Sequence, residues 1–211
     1  MTTLFSRTPR GARLALAALA VSCAAVSLPA CAPLVVGGAM VGGSLMVIDR
    51  RTAGMQVEDQ AIELKGNDRA RTTAPAGLVN VTSYNRMVLI TGEVPTDADR
   101  RAVERAIAQV DNVRSVVNEL AVAGNSSMTS RSNDAVLTGK VKAAFIDAKD
   151  LQAQALKVLT ERGQVYLMGL VTEREAARAA EVARGVAGVQ KVVRVFETIS
   201  DAELARLQQA R

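Results

Sequence analysis

The sequence of 211 residues predicts an α+β protein that contains two tandem copies of one small module, placed after an N-terminal targeting segment and a glycine-rich tether. Two observations support this prediction. Residues 88–94 align with residues 165–171 in a shared pattern, and beyond a one-residue gap at Pro95 the similarity continues through a helix and a strand. In both copies the alternation typical of strands gives way, at the same place, to helical periodicity. Each copy is therefore expected to fold as one unit with the element order αββαβ.

The first 30 residues have the three parts of a bacterial signal peptide. Arg7, Arg10 and Arg13 form a basic start, and residues 14–28 are an apolar run too short to span a bilayer. Small residues then precede Cys31, a pattern that resembles the lipobox of bacterial lipoproteins. The resemblance implies removal of residues 1–30 and acylation of Cys31. The alternatives are an ordinary signal peptide with an incidental cysteine, or a buried free cysteine in a folded domain.

Residues 31–53 are predicted to form the lipidated end and a flexible tether. Residues 32–48 are apolar but include four glycines, and the run is shorter than about 20 residues, so a transmembrane helix is the less favoured alternative. Bacterial lipoproteins similar to this one are sorted to the outer membrane unless Asp follows the lipidated cysteine, and here Ala32 follows it. This implies a lipid anchor in the outer membrane, with the protein on its periplasmic face.

The strands and helices of each module follow from local patterns. Alternating apolar and polar residues on both sides of a short polar turn predict a hairpin. A threonine followed three residues later by an acidic residue is typical of a helix N-cap, and it predicts a helix after the hairpin. A run of β-branched residues then predicts the last strand of the module. The predicted elements are helix 55–71, strands 78–84 and 87–93, a helix after Thr96 and strand 113–122 in the first copy, and helix 133–148, strands 155–160 and 165–171, a helix after Thr172 and strand 189–199 in the second. Each module is therefore expected to be a small three-stranded mixed sheet packed against two helices.

These patterns also give the domain organisation. The expected segments are signal peptide 1–30, lipidated Cys31 and tether 31–53, first module 54–124, linker 125–131, second module 132–199 and C-terminal helix 200–211. Gly92 and Gly169 end the second strand of each module, where a glycine more often serves a bend of the backbone than a ligand.

The composition excludes most enzymes. The chain has no His and no Trp, and its aromatic residues are three Phe and two Tyr. Without imidazole there is no Ser/His/Asp or Cys/His catalytic group and no histidine-ligated zinc. Glu173 and Glu175 are the acids to consider for carboxylate catalysis, but both stand at a helix start, where the dipole stabilises acids without any catalytic role. We expect a binding module that uses no cofactor or metal.

The repeated pattern resembles the BON domain. In the first copy a hydrophobic hairpin, Gly92-Glu93-Val94, a helix and Val116-Val117-Asn118 follow in that order, and in the second copy Gly169-Leu170-Val171 and Val192-Val193 take the corresponding places. Two such domains behind a lipobox are similar to known outer-membrane lipoproteins. The resemblance implies binding of phospholipid, maintenance of the outer-membrane permeability barrier and proximity to the β-barrel assembly machinery, and it does not imply catalysis.

The resemblance also implies that the second module contacts anionic lipid, and the charges agree with this assignment. Residues 54–124 carry 8 basic and 10 acidic residues, whereas residues 130–199 carry 11 basic and 8 acidic residues. A net positive surface suits an anionic lipid such as phosphatidylglycerol. On the first helix of this module Val136, Lys140, Lys142 and Ile146 point away from the expected core, so an apolar side chain lies beside lysines as in membrane-surface helices. The alternative is a solvated face with one stray valine, which is a weaker anchor than an aromatic residue.

Other functions fit the sequence less well. One alternative is a protein–protein adaptor that is associated with the β-barrel assembly machinery or acts in envelope amidase regulation. Such an adaptor would still bind its partner after loss of the basic helix of the second module. We do not expect a nucleic-acid partner, because an exported protein is separated from nucleic acid and the sequence has no basic cluster interleaved with aromatic residues.

The lipobox predicts that Cys31 holds the protein on the membrane. Replacing it, as Cys31→Ala, should leave the chain soluble or unprocessed when envelope fractions are separated. Membrane retention of the variant would contradict the anchor.

Overall fold

A computed structural model describes residues 49–209, so the predicted signal peptide, Cys31 and most of the tether lie outside the described residues. The order of elements confirms two αββαβ modules followed by a C-terminal helix. The elements are α1 Ala53–Thr73, β1 Leu78–Tyr84, β2 Met87–Val94, α2 Asp97–Ala108, β3 Ser115–Asn118, β4 Ala121–Val122, α3 Met128–Asp147, a short 3-10 turn Ala153–Ala155, β5 Leu156–Glu161, β6 Gln164–Val171, α4 Glu173–Arg184, β7 Lys191–Thr198 and α5 Asp201–Gln209.

Both sheets have the predicted mixed topology. In the first module β2 pairs antiparallel with β1 and parallel with β3 and β4. In the second, β6 lies between antiparallel β5 and parallel β7. The predicted strand 113–122 is interrupted, because the Asn118 side chain accepts a hydrogen bond from the Leu120 amide at 3.1 Å and turns the backbone between β3 and β4.

Helix α3 begins earlier than the sequence pattern predicts. It starts at Met128 rather than near Asn133, since the Ser127 hydroxyl accepts a hydrogen bond from the Ser130 amide at 3.1 Å and caps the helix. Residues 128–131 of the expected linker are therefore helical. The apolar periodicity misses this first turn because its side chains are mostly exposed.

Each module has its own core between one face of its sheet and its helices. In the second module, buried alanines on α4 let the helix approach the sheet closely, as their spacing predicts. In the first module Val103 and Ile107 of α2 fill the corresponding place. The helices lie on the expected face of each sheet.

The opposite faces of the two sheets share a third apolar cluster. Tyr84 and Leu89 of the first module pack with Tyr166, Met168 and Val195 of the second, and Leu204 and Leu207 of α5 cover part of the same cluster. Burial raises the pKa of both tyrosines to about 12. The two modules are thus joined by a common core rather than by a flexible linker alone.

Polar contacts run along the edge of this shared cluster. Asn80 of β1 donates to Glu161 of β5 at 3.3 Å, and the Tyr84 hydroxyl donates to the Ala155 carbonyl at 3.4 Å. Lys157 adds hydrogen bonds to Glu63 at 2.6 Å and to the Ser83 carbonyl at 3.1 Å. These contacts therefore link the two modules at the edges of their hairpins.

The last residues of the tether fasten the two modules together. Buried Arg50 donates to both carboxylate oxygens of Glu175, at 2.6 and 2.8 Å, and to the Leu170 carbonyl at 2.7 Å, all in the second module. Its neighbour Arg51 donates to Asp59 of α1 at 2.7 Å. Glu175, an acid that the sequence singles out, thus has a structural partner.

Two buried aspartates hold the hairpin turns. Asp59 of α1 accepts hydrogen bonds from the Asn85 and Arg86 amides, both at 2.8 Å, and Asp134 of α3 accepts them from the Arg162 and Gly163 amides at the same distance. All four turn residues have positive φ. Burial alone would raise the pKa of Asp59, but its hydrogen bonds from Ser83 and the turn amides bring it below the ordinary value.

Gly92 is required by the backbone of the first sheet. Its φ is +111°, and a Cβ there would collide with the Leu78 carbonyl oxygen. Gly92→Ala should lower the free energy of unfolding by at least about 2 kcal/mol in urea titrations. Gly139→Ala is the matched control, because a Cβ on Gly139 meets open space in a helix and should be neutral or slightly stabilising. Equal stability of the two variants would contradict this account.

The Arg50–Glu175 pair should contribute to stability in a pH-dependent way. The Arg50 guanidinium holds the pKa of Glu175 below its usual value of 4.5, so the contribution is complete above that pH and is lost as the pH falls through the lower folded value. Glu175→Gln keeps the shape but leaves buried Arg50 uncompensated, and should cost about 3 kcal/mol at pH 7. The difference from the wild type in urea titrations should shrink below pH 4.5, and a constant difference would contradict the ion pair.

Candidate functional site

The site predicted from the sequence lies on α3. The apolar positions Leu137, Val141 and Phe145 are buried against the second sheet, as expected, and fix which side of the helix faces outward. Asp134, one turn earlier, anchors the hairpin turn and holds the N-terminal half of α3 beside it. The exposed side of α3 is therefore held rigidly by its own core contacts.

The four predicted lipid-binding residues are all exposed, but they do not form one patch. Val136 is 58% exposed and Ile146 is 70% exposed, and Lys140 and Lys142 are exposed as well. Positions 140 and 142 are about 200° apart around a helix, so they flank the core on opposite sides. The structure brings Val136 together with Lys140 and brings Lys142 together with Ile146.

Val136 and Lys140 line an open cleft of about 710 Å³. Its other walls are the linker at Ser126, the hairpin turn at Arg162 and the turn between α4 and β7 at Gly188. Serine, asparagine and glutamine side chains complete a mostly polar lining. Two cationic side chains beside hydrogen-bond donors suit a phosphate group.

Lys142 and Ile146 border a second, smaller hollow of about 190 Å³. It lies between the C-terminal half of α3 and β5, and its remaining lining includes Phe145, Leu156 and Val158. This hollow is apolar apart from the lysine and Gln154. Its chemistry suits hydrocarbon beside a charged headgroup.

Arg162 is the residue of the cleft that the sequence analysis missed. It occupies the β5–β6 turn with φ of 54°, and its side chain is 41% exposed. Its counterpart in the repeat is Asn85, which has the same turn position in the first module and also has positive φ. Without knowing that the turn meets the start of α3, the sequence gives no reason to join Arg162 to Lys140.

Acidic residues of both modules lie at the cleft, because Asp134 is part of its lining and Glu93 contacts the lining residues Ser126 and Arg162. Glu93 of β2 is fully buried, its Oε1 accepts a hydrogen bond from the Ser126 hydroxyl, and it lies 3.7 Å from the Arg162 guanidinium. Burial, together with the charges of Glu93 and Asp134, raises the pKa of Glu161. The positive side chains of the cleft are thus partly offset by negative groups beneath them.

Three further features of residues 49–209 concern metal ions, acidic residues and the membrane. That part of the chain contains no group of three carboxylate or cysteine side chains arranged to hold a metal ion. Glu173, the other acid considered from the sequence, is exposed and lies 3.8 Å from Arg194. Within the described range, every helix is too short or too polar to cross a membrane.

Comparison with known proteins agrees with this architecture. Residues 59–124 and 133–199 each match the BON domain. The chain is 37% identical to the outer membrane lipoprotein DolP of Haemophilus influenzae over 82% of this chain and 91% of that protein. It is 30% identical to a 21 kDa hemolysin of Actinobacillus pleuropneumoniae over 72% of this chain and 80% of that protein.

A further relative shares a smaller region. The osmotically-inducible protein Y of Escherichia coli is 35% identical over 43% of this chain and 48% of its own length. The two segments that match the BON domain, residues 59–124 and 133–199, coincide with the two αββαβ modules described above. The chain therefore belongs to the BON domain family, as a member with two BON domains that is similar to DolP.

Proposed function

We propose that this protein is a lipid-anchored component of the outer membrane whose second BON domain binds anionic phospholipid from the periplasmic side. The observation that carries the proposal is the exposed face of α3, where Val136 and Ile146 each stand one helical turn from a lysine. Apolar side chains next to lysines on an exposed helix suit the boundary between headgroups and acyl chains. The similarity to an outer membrane lipoprotein supports the proposed location.

The two hollows on α3 suggest how one surface accommodates the lipid. The cleft beside Lys140 and Arg162 suits a phosphate, and the apolar hollow beside Lys142 suits the upper part of an acyl chain. Because they lie on opposite sides of α3, the helix would rest on several lipids rather than enclose one. The proposed role is therefore binding without catalysis, in support of outer-membrane integrity.

A protein partner is the second candidate, and α1 of the first module favours it. Val57 is 66% exposed and Leu64 is 75% exposed, and both lie on one side of this helix. The first module carries more acidic than basic residues, so an anionic membrane is a poor partner for it. In this alternative the first module would contact a protein such as a subunit of the β-barrel assembly machinery.

Charge reversal on α3 tests the lipid proposal. Lys140→Glu with Lys142→Glu, in the chain of residues 32–211, should weaken sedimentation with vesicles of equal parts phosphatidylglycerol and phosphatidylcholine by at least about tenfold, since each basic residue near an anionic surface contributes about 1 kcal/mol. Vesicles of phosphatidylcholine alone should show no change. The loss should be largest at low salt, where screening is weakest.

A matched control is available on α4. Arg174→Glu with Arg184→Glu makes the same change in net charge at two exposed positions of the same module and should weaken binding much less. If both double variants weaken binding equally, the effect is one of net charge and α3 is not the site. Undiminished binding of the α3 variant at low salt would reject this surface.

A further inference from the structure

We propose that Glu93 of the first BON domain restrains Arg162 of the second, and thereby sets how strongly the cleft beside α3 binds the phosphate of an anionic phospholipid. This inference rests on the proposed lipid binding and concerns its regulation by the other domain. It assigns a role to a buried carboxylate and to a turn arginine that the predicted site does not include.

Glu93 is a buried acid whose hydrogen bonding is incomplete. Its side chain has no exposure to solvent, and its Oε1 accepts a hydrogen bond from Ser126. Its Oε2 is buried and receives no hydrogen bond from any residue in the described range. Arg162, with a guanidinium nitrogen 3.7 Å from Oε1, supplies the compensating positive charge. A buried carboxylate in this situation attracts a neighbouring cation strongly, because little water screens the pair.

Arg162 is held where it faces both Glu93 and the cleft. Its backbone amide donates to Asp134 at 2.8 Å, and its turn conformation has positive φ, so the Cα position is fixed. The side chain is 41% exposed and lines the cleft with Lys140. Its distance from Glu93 is longer than a direct hydrogen bond, so the guanidinium can turn toward an anion in the cleft.

The fold itself does not require an acid at this position. Under the repeat, Glu93 corresponds to Leu170, which packs in the apolar cluster shared by the two modules. The turn residues correspond as well, since Asn85 donates to Glu197 of the second module at 2.7 Å while Arg162 approaches Glu93 of the first. The two modules therefore differ at this position, with Glu93 in the first and Leu170 in the second. The strand forms with either residue, so the carboxylate of Glu93 matters for the cleft and not for the strand.

Competition for one guanidinium couples the two sites. The Arg162 guanidinium can pair with Glu93 or with a phosphate in the cleft. Each of these two anions therefore weakens the interaction of Arg162 with the other, and the coupling is reciprocal. Removing the charge of Glu93 should leave Arg162 fully available to the lipid. The first domain would thus lower the lipid affinity of the second without touching the membrane.

The test uses Glu93→Gln in the chain of residues 32–211 and the mixed vesicles of phosphatidylglycerol and phosphatidylcholine. Binding should become at least about threefold tighter, in the lower range of coupling between sites, and should decline more steeply with salt. Asp68→Asn removes one negative charge from an exposed position of α1 and serves as the control for net charge. Binding by Glu93→Gln that equals the control, or is weaker, overturns the inference.

Arg162→Gln supplies the second arm. In that background Glu93→Gln should have no further effect on affinity, because the coupled partner is gone. A persistent gain would mean that Glu93 acts in another way and would overturn the inference. Thermal unfolding of each variant identifies any change caused by loss of the fold.

A comparison of single variants avoids any need for Glu93→Gln to fold. Arg162→Gln in the otherwise unchanged chain should weaken binding less than Lys140→Gln, since Glu93 already neutralises part of the Arg162 charge. An equal or larger loss overturns the restraint. Failure of the underlying proposal has a different result, namely that the wild type binds the mixed vesicles no better than phosphatidylcholine alone.

Discussion

The second face of each sheet is the constraint on which the rest of the structure depends. A three-stranded sheet with helices on one face leaves its other face uncovered, and here that face carries large apolar side chains such as Leu89, Tyr166 and Met168. Exposing this area would cost about 25 cal/mol for each Å². The two modules therefore cover each other, and the positions of Arg50, the linker and both hairpin turns are consistent with that packing.

Charged contacts around this shared cluster differ in what they contribute. Arg114 donates to Glu197 at 2.8 Å on an exposed edge, where an ion pair is worth little to stability. Arg50 is buried, and the geometry of its fork matches Glu175 and the Leu170 carbonyl together. We interpret the exposed ion pairs beside the apolar interface as contributing little to the packing of the modules. We interpret the buried contacts of Arg50 as favouring one arrangement of the modules over others.

Local patterns in the sequence predict the elements of each module, because alternation and helix caps act over a few residues. The start of α3 escapes prediction, since its first turn is capped by Ser127 but contributes little to the core. Helical spacing alone places Lys140 and Lys142 about 200° apart, so the sequence already divides the predicted lipid surface into two parts. Only the structure shows the cleft and the hollow that these two parts border. Arg162 joins Lys140 only through the folded turn, which no spacing in the sequence reveals.

The two copies of the module use one framework for different purposes. Asp59 and Asp134 hold equivalent turns, so this device belongs to the shared framework. At the end of the central strand the copies diverge, with Leu170 in the apolar cluster and Glu93 buried beside Arg162. An ion pair with an incomplete set of hydrogen bonds is a poor source of stability compared with an apolar residue of similar size. The effect of Glu93 therefore lies in the electrostatic potential that it imposes on the cleft, which an apolar residue at the same position would not supply.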